Sequence, residues 1–506
     1  MKALISVYDK TGIVEFASKL EGLGTHILST GGTHQTLLDN GIPVTQVSEY
    51  TGSPEILDGR VKTLHPIIHG GILAKRDNPN HIAELQQMRV DTIDLVIVNL
   101  YPFAATISRP NVTMEEALEN IDIGGPTMIR AAAKNFQSVT VVVDPNDYDW
   151  IIESMSNGEL AGAERQGLAQ KAFQHVAFYD TLVSQYLLPD SSFFSQEKTI
   201  GYNKLYEMRY GENPHQKAAF YSNPHPSGIA SAKQLHGKEL SYNNILDADA
   251  AWRAVSDFPT STSAIIKHTN TCGLASNDDQ VEAYKNALSG DPVSAFGGIV
   301  AFNRELTHAT AQAMKEVFYE IVLAPSFDPS ALETLQKKRD LRILELGDSP
   351  STADIGVEVR QVSGGVLIQT PDEVDENPST WQVVTELEPT QDQMKDLIFA
   401  WKAVKHIKSN AIVVAKDQTL LGMGAGQPNR LNSVELSLKA AGSASTGAIL
   451  ASDAFFPFPD GVETAATGGI AVVIQPGGSI RDNEVIEAAN RLGLVMLFTG
   501  MRHFKH

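Results

Sequence analysis

Two strands near the start of the chain, residues 93–99 and 138–144, are too apolar to leave either face in water. They alternate with helical stretches, as do the shorter strands at 3–7 and 26–30: residues 12–23 carry helical periodicity, and another helix runs from Gly31-Gly32-Thr33 to Asn40-Gly41. Strands so apolar, alternating with helices, are the pattern of a parallel sheet covered on both faces. An α/β fold is therefore expected over about residues 1–145. A long helical stretch at 162–188, with Ala169, Ala172, Phe173, Val176 and Ala177 on its apolar positions, is expected to lead out of it.

The 506 residues are too many for one ordinary core, so further domains are expected. The polar run 190–199 reads as a linker between a domain at 1–189 and a second α/β region at 200–506. The second region carries signs of duplication, with halves at about 200–370 and 390–506. An apolar strand reaches a lysine and then a glycine twice, at 264–273 and 411–422. Ser294-Ala-Phe-Gly-Gly and Ser452-Asp-Ala-Phe-Phe precede helical stretches, and 321–325 and 471–476 are strands ending in proline. The acidic stretch 371–389 reads as an exposed connection between the halves.

Net charge is −20, which argues against nonspecific nucleic-acid or membrane binding but permits anionic small molecules where cations cluster in pockets. No apolar run is long enough to span a bilayer, and the N-terminus turns polar too soon for a signal peptide. The single cysteine, Cys272, excludes an intrachain disulfide framework and a Cys-rich zinc site. A cytoplasmic protein without a Cys-rich zinc site is expected.

Lys267-His268 ends an apolar strand before a polar, Gly-terminated loop. An imidazole moves protons near neutral pH, and an adjacent ammonium steadies an oxyanion. A surface Lys beside a packed His is the plainer alternative. Ser29-Thr30-Gly31-Gly32-Thr33, between a strand and a helix, reads as an anion cradle in which glycines admit the backbone and hydroxyls donate. A Gly turn with an N-cap Thr would look the same. Arg60 and Lys62 add two cations in a loop, Tyr101 closes a strand, and Asp122 precedes a helix carrying Arg130 and Lys134 on one face.

Here the chain resembles a known family. Arg60-Val-Lys-Thr-Leu-His-Pro66, Asn99-Leu-Tyr-Pro-Phe103, Ile121-Asp-Ile-Gly-Gly125 and Ala131-Ala-Ala-Lys-Asn135 are similar to the cyclohydrolase domain of the bifunctional purine biosynthesis proteins. These join phosphoribosylaminoimidazolecarboxamide formyltransferase to IMP cyclohydrolase. The resemblance continues through Arg209-Tyr-Gly-Glu-Asn-Pro-His-Gln216, Lys267-His268, Asp291-Pro-Val-Ser-Ala-Phe-Gly297, Ser452-Asp-Ala-Phe-Phe-Pro-Phe458 and Arg502-His-Phe-Lys-His506. It implies a methylglyoxal-synthase-like first domain and two cytidine-deaminase-like subdomains in the second, lacking the deaminase zinc.

The resemblance also implies roles. Lys62 and Lys134 would sit at the cyclohydrolase centre with Tyr101 and Asp122 assisting, and which lysine moves the proton is left open. Lys10, Thr30, Gly31, Gly32, Thr33, Arg60 and Thr63 would hold the nucleotide. In the transferase His268 would be the base and Lys267 the transition-state stabiliser. Arg209, Tyr210, Gly297, Glu320, Asn410 and Arg430 would bind the nucleotide; Phe455, Asp460, Gln475, Pro476 and Arg502 would bind 10-formyltetrahydrofolate, the formyl donor. A homodimer sharing the transferase site across its interface is expected. Thr271 stands where the family commonly has Pro, which implies a less rigid loop. The rivals are a single-activity enzyme with one degenerate domain, a nucleotide-sensing module, and a methylglyoxal synthase that would leave more than half the chain unused.

Overall fold

The computed structural model describes residues 1–506 apart from 159, 190–193, 348–356 and 374–376. The chain divides into two compact units, Met1–Tyr202 and Asn203–His506. Part of the expected linker, 190–193, lies outside the described residues, as do 374–376 of the expected connection. Among the described residues, no helix is long and apolar enough to cross a membrane.

In the first unit, among the described residues, β1 (Lys2–Val7), β2 (His26–Ser29), β3 (Val44–Gln46), β4 (Leu95–Asn99) and β5 (Thr140–Val142) form one sheet in the order β3-β2-β1-β4-β5. Every neighbouring pair is parallel. The order reverses between β1 and β4, and the C-terminal ends of strands at such a switch point form a natural crevice. The strand β3 has no sequence counterpart above, because its three half-buried residues make no apolar run. The helix Gly162–Tyr186 does not lead away from this unit as expected. Leu168, Ala169, Ala172, Val176 and Leu182 are buried in the same core as the strands, while Phe173 and Ala177 face outward.

The second unit begins with a hairpin of β6 (Asn203–Met208) and β7 (Ala218–Ser222). The strands of its main sheet are β8 (Lys233–His236), β9 (Thr262–Lys267), β10 (Asn270–Ser276), β11 (Gly298–Phe302), β12 (Tyr319–Ala324) and β13 (Arg342–Glu345). After a second hairpin, β14 (Glu358–Val362) and β15 (Gly365–Gln369), come β16 (Gln382–Val383), β17 (Ile412–Lys416), β18 (Thr419–Gly424), β19 (Ile449–Ser452), β20 (Val472–Gln475) and β21 (Val495–Phe498). Among the described residues the sheet has twelve strands in the order β16-β21-β20-β19-β17-β18-β10-β9-β11-β12-β13-β8.

Read outward from its middle, the order is the same on both sides. Each half has an antiparallel hairpin, a strand antiparallel to that hairpin's first strand, two more parallel to it, and an antiparallel edge strand. The halves meet at the antiparallel pair Ala275↔Thr419, so a half-turn rotation relates them. The repeated lysine-then-glycine pattern has a packing cause. A side chain on Gly273 would strike the Ala287 carbonyl, and one on Gly422 the Ser437 carbonyl, each on the helix after its hairpin.

One expected correspondence is corrected by the register. Ser294 precedes β11, whereas Ser452 ends β19; the counterpart of Ser452-Asp453 is Phe302-Asn303. The stretch 371–389 is also more than a connection, because Gln382 and Val383 pair with Phe498 and Leu497 as the sheet's edge strand. Thr271 does not loosen a loop: it is buried within β10, opposite Ile266.

Candidate active sites

At the C-terminal ends of β1, β2 and β4 lies a cavity of about 1110 Å³, lined by Lys10, Thr30, Gly32, Arg60, Lys62, Thr63, Tyr101 and Asp122, among others. Its floor is tied by side chains. Asn99 Oδ1 accepts from the backbone N–H groups of Tyr8 and Asp9 at 2.7 and 2.9 Å. Thr33 Oγ1 accepts from Val7 N and donates to Val7 O.

The cradle differs from expectation in its hydroxyls. Ser29 Oγ donates to Ile5 O, Thr30 Oγ1 donates to Glu55 at 2.8 Å, and Thr33 is spent on β1. What remains for an anion is the start of the helix Gly31–Asp39 with two ammoniums above it. A Cβ on Gly31 would lie 3.4 Å from Lys62 Nζ, and one on Gly32 would lie 3.9 Å from Lys10 Nζ. Gly31 also has a φ of 53°, which favours glycine.

Asp122 lies across the cavity at the foot of the helix Gly124–Lys134. Burial raises its carboxyl above the usual range, while the Gly125 N–H and the Lys62 charge act the other way. Its carboxylate accepts from Gly125 N at 2.8 Å, and its own N–H donates to Tyr179 Oη at 2.8 Å. The Tyr101 ring meets the Tyr8 ring edge-on at 5.8 Å, and Arg60 pairs with Glu119.

Lys134 is not in this cavity. It ends the helix that Asp122 precedes, and ten residues at about 1.5 Å each carry it roughly 15 Å away, to an exposed position toward the far edge of the sheet. The motif places it on the right helix but at the wrong end of it for the pocket of its own chain.

In the second unit Lys267 and His268 sit at the tip of the β9–β10 hairpin. Lys267 Nζ donates to the carbonyls of Gly297 at 2.7 Å and Phe296 at 3.3 Å, and His268 is exposed. Gly297, with a φ of 67°, leaves the room: a Cβ there would come within 3.1 Å of Nζ. Arg209 and Tyr210 follow β6, the guanidinium 5.7 Å from the tyrosine ring. Their loop is held by Asn243, whose amide donates to Glu212 O at 3.3 Å. Glu320 is paired with Arg342 at 2.7 Å. Cys272 is buried, its thiol pushed up to about 12 by desolvation, which suits packing rather than chemistry.

The register brings the transferase candidates to one edge of the sheet. The ends of β9, β18, β19, β20 and β21 all point the same way, as do the starts of β11, β12 and β17. Several of these residues face inward. Arg430 is 7% exposed, and its guanidinium is engaged by Asp453, Ser452 at 2.7 Å and Asn410 Oδ1 at 2.7 Å. Gln475 is fully buried, accepting from Phe456 N at 2.7 Å, and Pro476 is buried beside it. Phe455, Asp460 and Arg502 are exposed, with Arg502 4.6 Å over the Phe504 ring.

Arg430 thus orients Asn410 with three of its five N–H donors placed on the chain's own groups. Arg430→Met leaves the fully buried Asp453 carboxylate without its counter-charge, and about 3–5 kcal/mol of stability is expected to be lost. Calorimetry of the second unit's transition checks this, and adding Asp453→Asn should recover part of the loss.

A doubly wound domain with a lysine-lined crevice, joined to a duplicated α/β unit with an ammonium–imidazole turn, defines a two-site enzyme acting on anionic small molecules. The MGS-like domain family matches residues 12–127, and the AICARFT/IMPCHase bienzyme family matches residues 132–440. The bifunctional purine biosynthesis protein PurH of Thermoanaerobacter sp. (strain X514) is 54% identical over 100% of this chain and 99% of its own. The protein of the same name from Dictyostelium discoideum is 50% identical over 100% of both chains. A solved chain titled ForH is 36% identical where it aligns, covering 37% of this chain and 95% of its own at a TM-score of 0.34. The chain belongs to the family of bifunctional purine biosynthesis proteins.

Proposed function

We propose that this chain carries out both activities of its family, formyl transfer in the second unit and ring closure to IMP in the first. The observation that carries the reading is the presence of two separate polar sites, one in each unit, in a chain that matches bifunctional relatives from end to end.

In the transferase, the exocyclic amine of 5-aminoimidazole-4-carboxamide ribonucleotide attacks the formyl carbon of 10-formyltetrahydrofolate. The amine is a weak nucleophile because its lone pair is shared with the ring, so His268 takes its proton as the new N–C bond forms. Lys267 has three N–H donors and two are held by Gly297 and Phe296. The third meets the developing oxyanion. Collapse of the tetrahedral intermediate breaks the bond to the folate nitrogen, which takes the proton back from His268 and leaves as tetrahydrofolate.

In the cyclohydrolase, the phosphate rests on the helix start at Gly31-Gly32 under Lys10 and Lys62, with Arg60 and Thr63 at the rim. The carboxamide nitrogen attacks the formyl carbon, and the resulting carbinol loses water. Burial makes Asp122 a better base than an ordinary carboxylate, suited to accept the amide proton. Asp122 passes that proton to the carbinol oxygen, Lys62 protonates the hydroxyl as it leaves as water and regains a proton from the formamido nitrogen, and Tyr101 lines the ring-closing geometry. The enzyme works in the cytoplasm on soluble nucleotide and folate substrates.

The transferase site is completed by a second copy. From β9, which carries Lys267, the strands ending at Ser452, Gln475 and Phe498 are four to six positions away in the sheet. At about 4.8 Å per strand this is roughly 19–29 Å, too far for one chain's His268 and Phe455 to converge on one formyl group. Mixed dimers test this. A His268→Ala chain paired with an Arg502→Ala chain is expected to regain one working site and measurable formyl transfer; equally inactive mixed and parent dimers would sink the shared site. The overall assignment is tested by supplying both substrates and resolving products: IMP with tetrahydrofolate is expected, and failure to consume either substrate overturns it.

A further inference from the structure

We infer that Asp247 is a positioning residue for formyl transfer, acting on His268 through the backbone of the turn that carries it. The inference rests on His268 being the base. Between the paired residues Lys267 and Asn270 the hairpin has two residues, His268 and Thr269, with φ values of 52° and 60°. This is the signature of a type I′ turn, normally built from Asn or Gly. Histidine tolerates the left-handed region; a β-branched threonine is strained there.

The strain is held from outside the hairpin. Asp247 Oδ1, on the helix Tyr242–Ser256, accepts from Thr269 N at 2.7 Å. Asn270 Nδ2 donates to His268 O at 2.9 Å, and Lys267 is pinned to Gly297. The imidazole itself has no hydrogen-bond partner in the chain among those described, so its placement depends on the backbone beneath it. The helix bearing Asp247 also bears Asn243, which holds the Arg209 loop, so one element sets both the base and a nucleotide contact.

The duplicated half supplies an internal comparison. Asp417 and Gln418 form the equivalent turn, with φ values of 51° and 51°. There Asp396, on the equivalent helix Gln391–Lys405, accepts from Asp417 N at 2.9 Å and Gln418 N at 2.7 Å. Lys416 Nζ donates to Thr446 O, as Lys267 does to Gly297. The second turn keeps the clamp and the lysine but has no imidazole.

Asp247→Ala is expected to lower kcat for formyl transfer about 10–100-fold, as small misplacements of a reacting group do, with KM for both substrates within about twofold. Asp247→Asn, whose amide oxygen still accepts, should restore most of the rate. Asp247→Glu, one methylene longer, should fall with the alanine variant. Asp396→Ala removes the matching clamp where no base sits and should leave kcat unchanged. Cyclisation of supplied formylated nucleotide reports folding of the first unit, and a thermal transition in the second unit like that of the parent confirms its fold. Unchanged kcat in Asp247→Ala, no recovery in Asp247→Asn, or an equal loss in Asp396→Ala overturns the inference; if Asp247→Ala does not fold, the Asn and Glu variants decide it alone. Full activity in a parallel His268→Ala enzyme would instead remove the base assignment beneath it.

Discussion

His268→Ala is expected to cut formyl transfer about 10²–10⁴-fold, the usual contribution of a positioned proton acceptor. Ring closure of supplied formylated nucleotide should proceed at the parent rate. Tetrahydrofolate release measures the first reaction and IMP formation the second. The selectivity follows from the architecture, since His268 belongs to Asn203–His506 and the cavity lined by Lys62 and Asp122 to Met1–Tyr202. A substitution at an exposed turn removes no core packing, so a large loss is chemical in origin. Loss of both activities together would contradict independent sites.

Lys62→Met should do the reverse. Formylated intermediate is expected to accumulate, because ring closure falls about 10²–10³-fold when a charged donor is removed from a preorganised site. Formyl transfer, followed by tetrahydrofolate release, should be unchanged. The prediction distinguishes Lys62 from Lys134. Lys62 Nζ lies over the helix start and its charge is felt by Asp122, whereas Lys134 is exposed at the far end of its helix. Lys134→Met should therefore impair ring closure far less than Lys62→Met, read by IMP formation from the same supplied intermediate.

The first unit's sheet was legible because burial on both faces leaves a compositional mark on β4 and β5, whereas β3, three half-buried residues long, leaves none. The duplication was legible where packing demands it, at a lysine followed by a glycine against a helix. It was misread at Ser294 and Ser452, because equivalent positions such as Asn303 and Asp453 carry different residues and like residues fell at different places. Residue types at the sites were legible; their directions were not. The hydroxyls of Ser29, Thr30 and Thr33 and the guanidinium of Arg430 turn inward to partners far away in sequence. Asp247, 22 residues before Thr269, gave no signal, since its role exists only once the helix lies beside the hairpin.

The half-turn between the two copies has a consequence for how a duplicated unit diverges. Because the copies run in opposite senses, any one border of the sheet shows the hairpin tip of the first and the opposite end of the second. The two copies therefore present different ends to the same border: the first its hairpin tip, with His268, and the second, whose own tip carries Asp417, the end bearing Asn410 and Phe455. The two remaining ends lie together on the opposite border. A duplicated fold of this symmetry therefore offers two unlike surfaces on each border, and a change made at one copy's tip has no equivalent beside it on the same border.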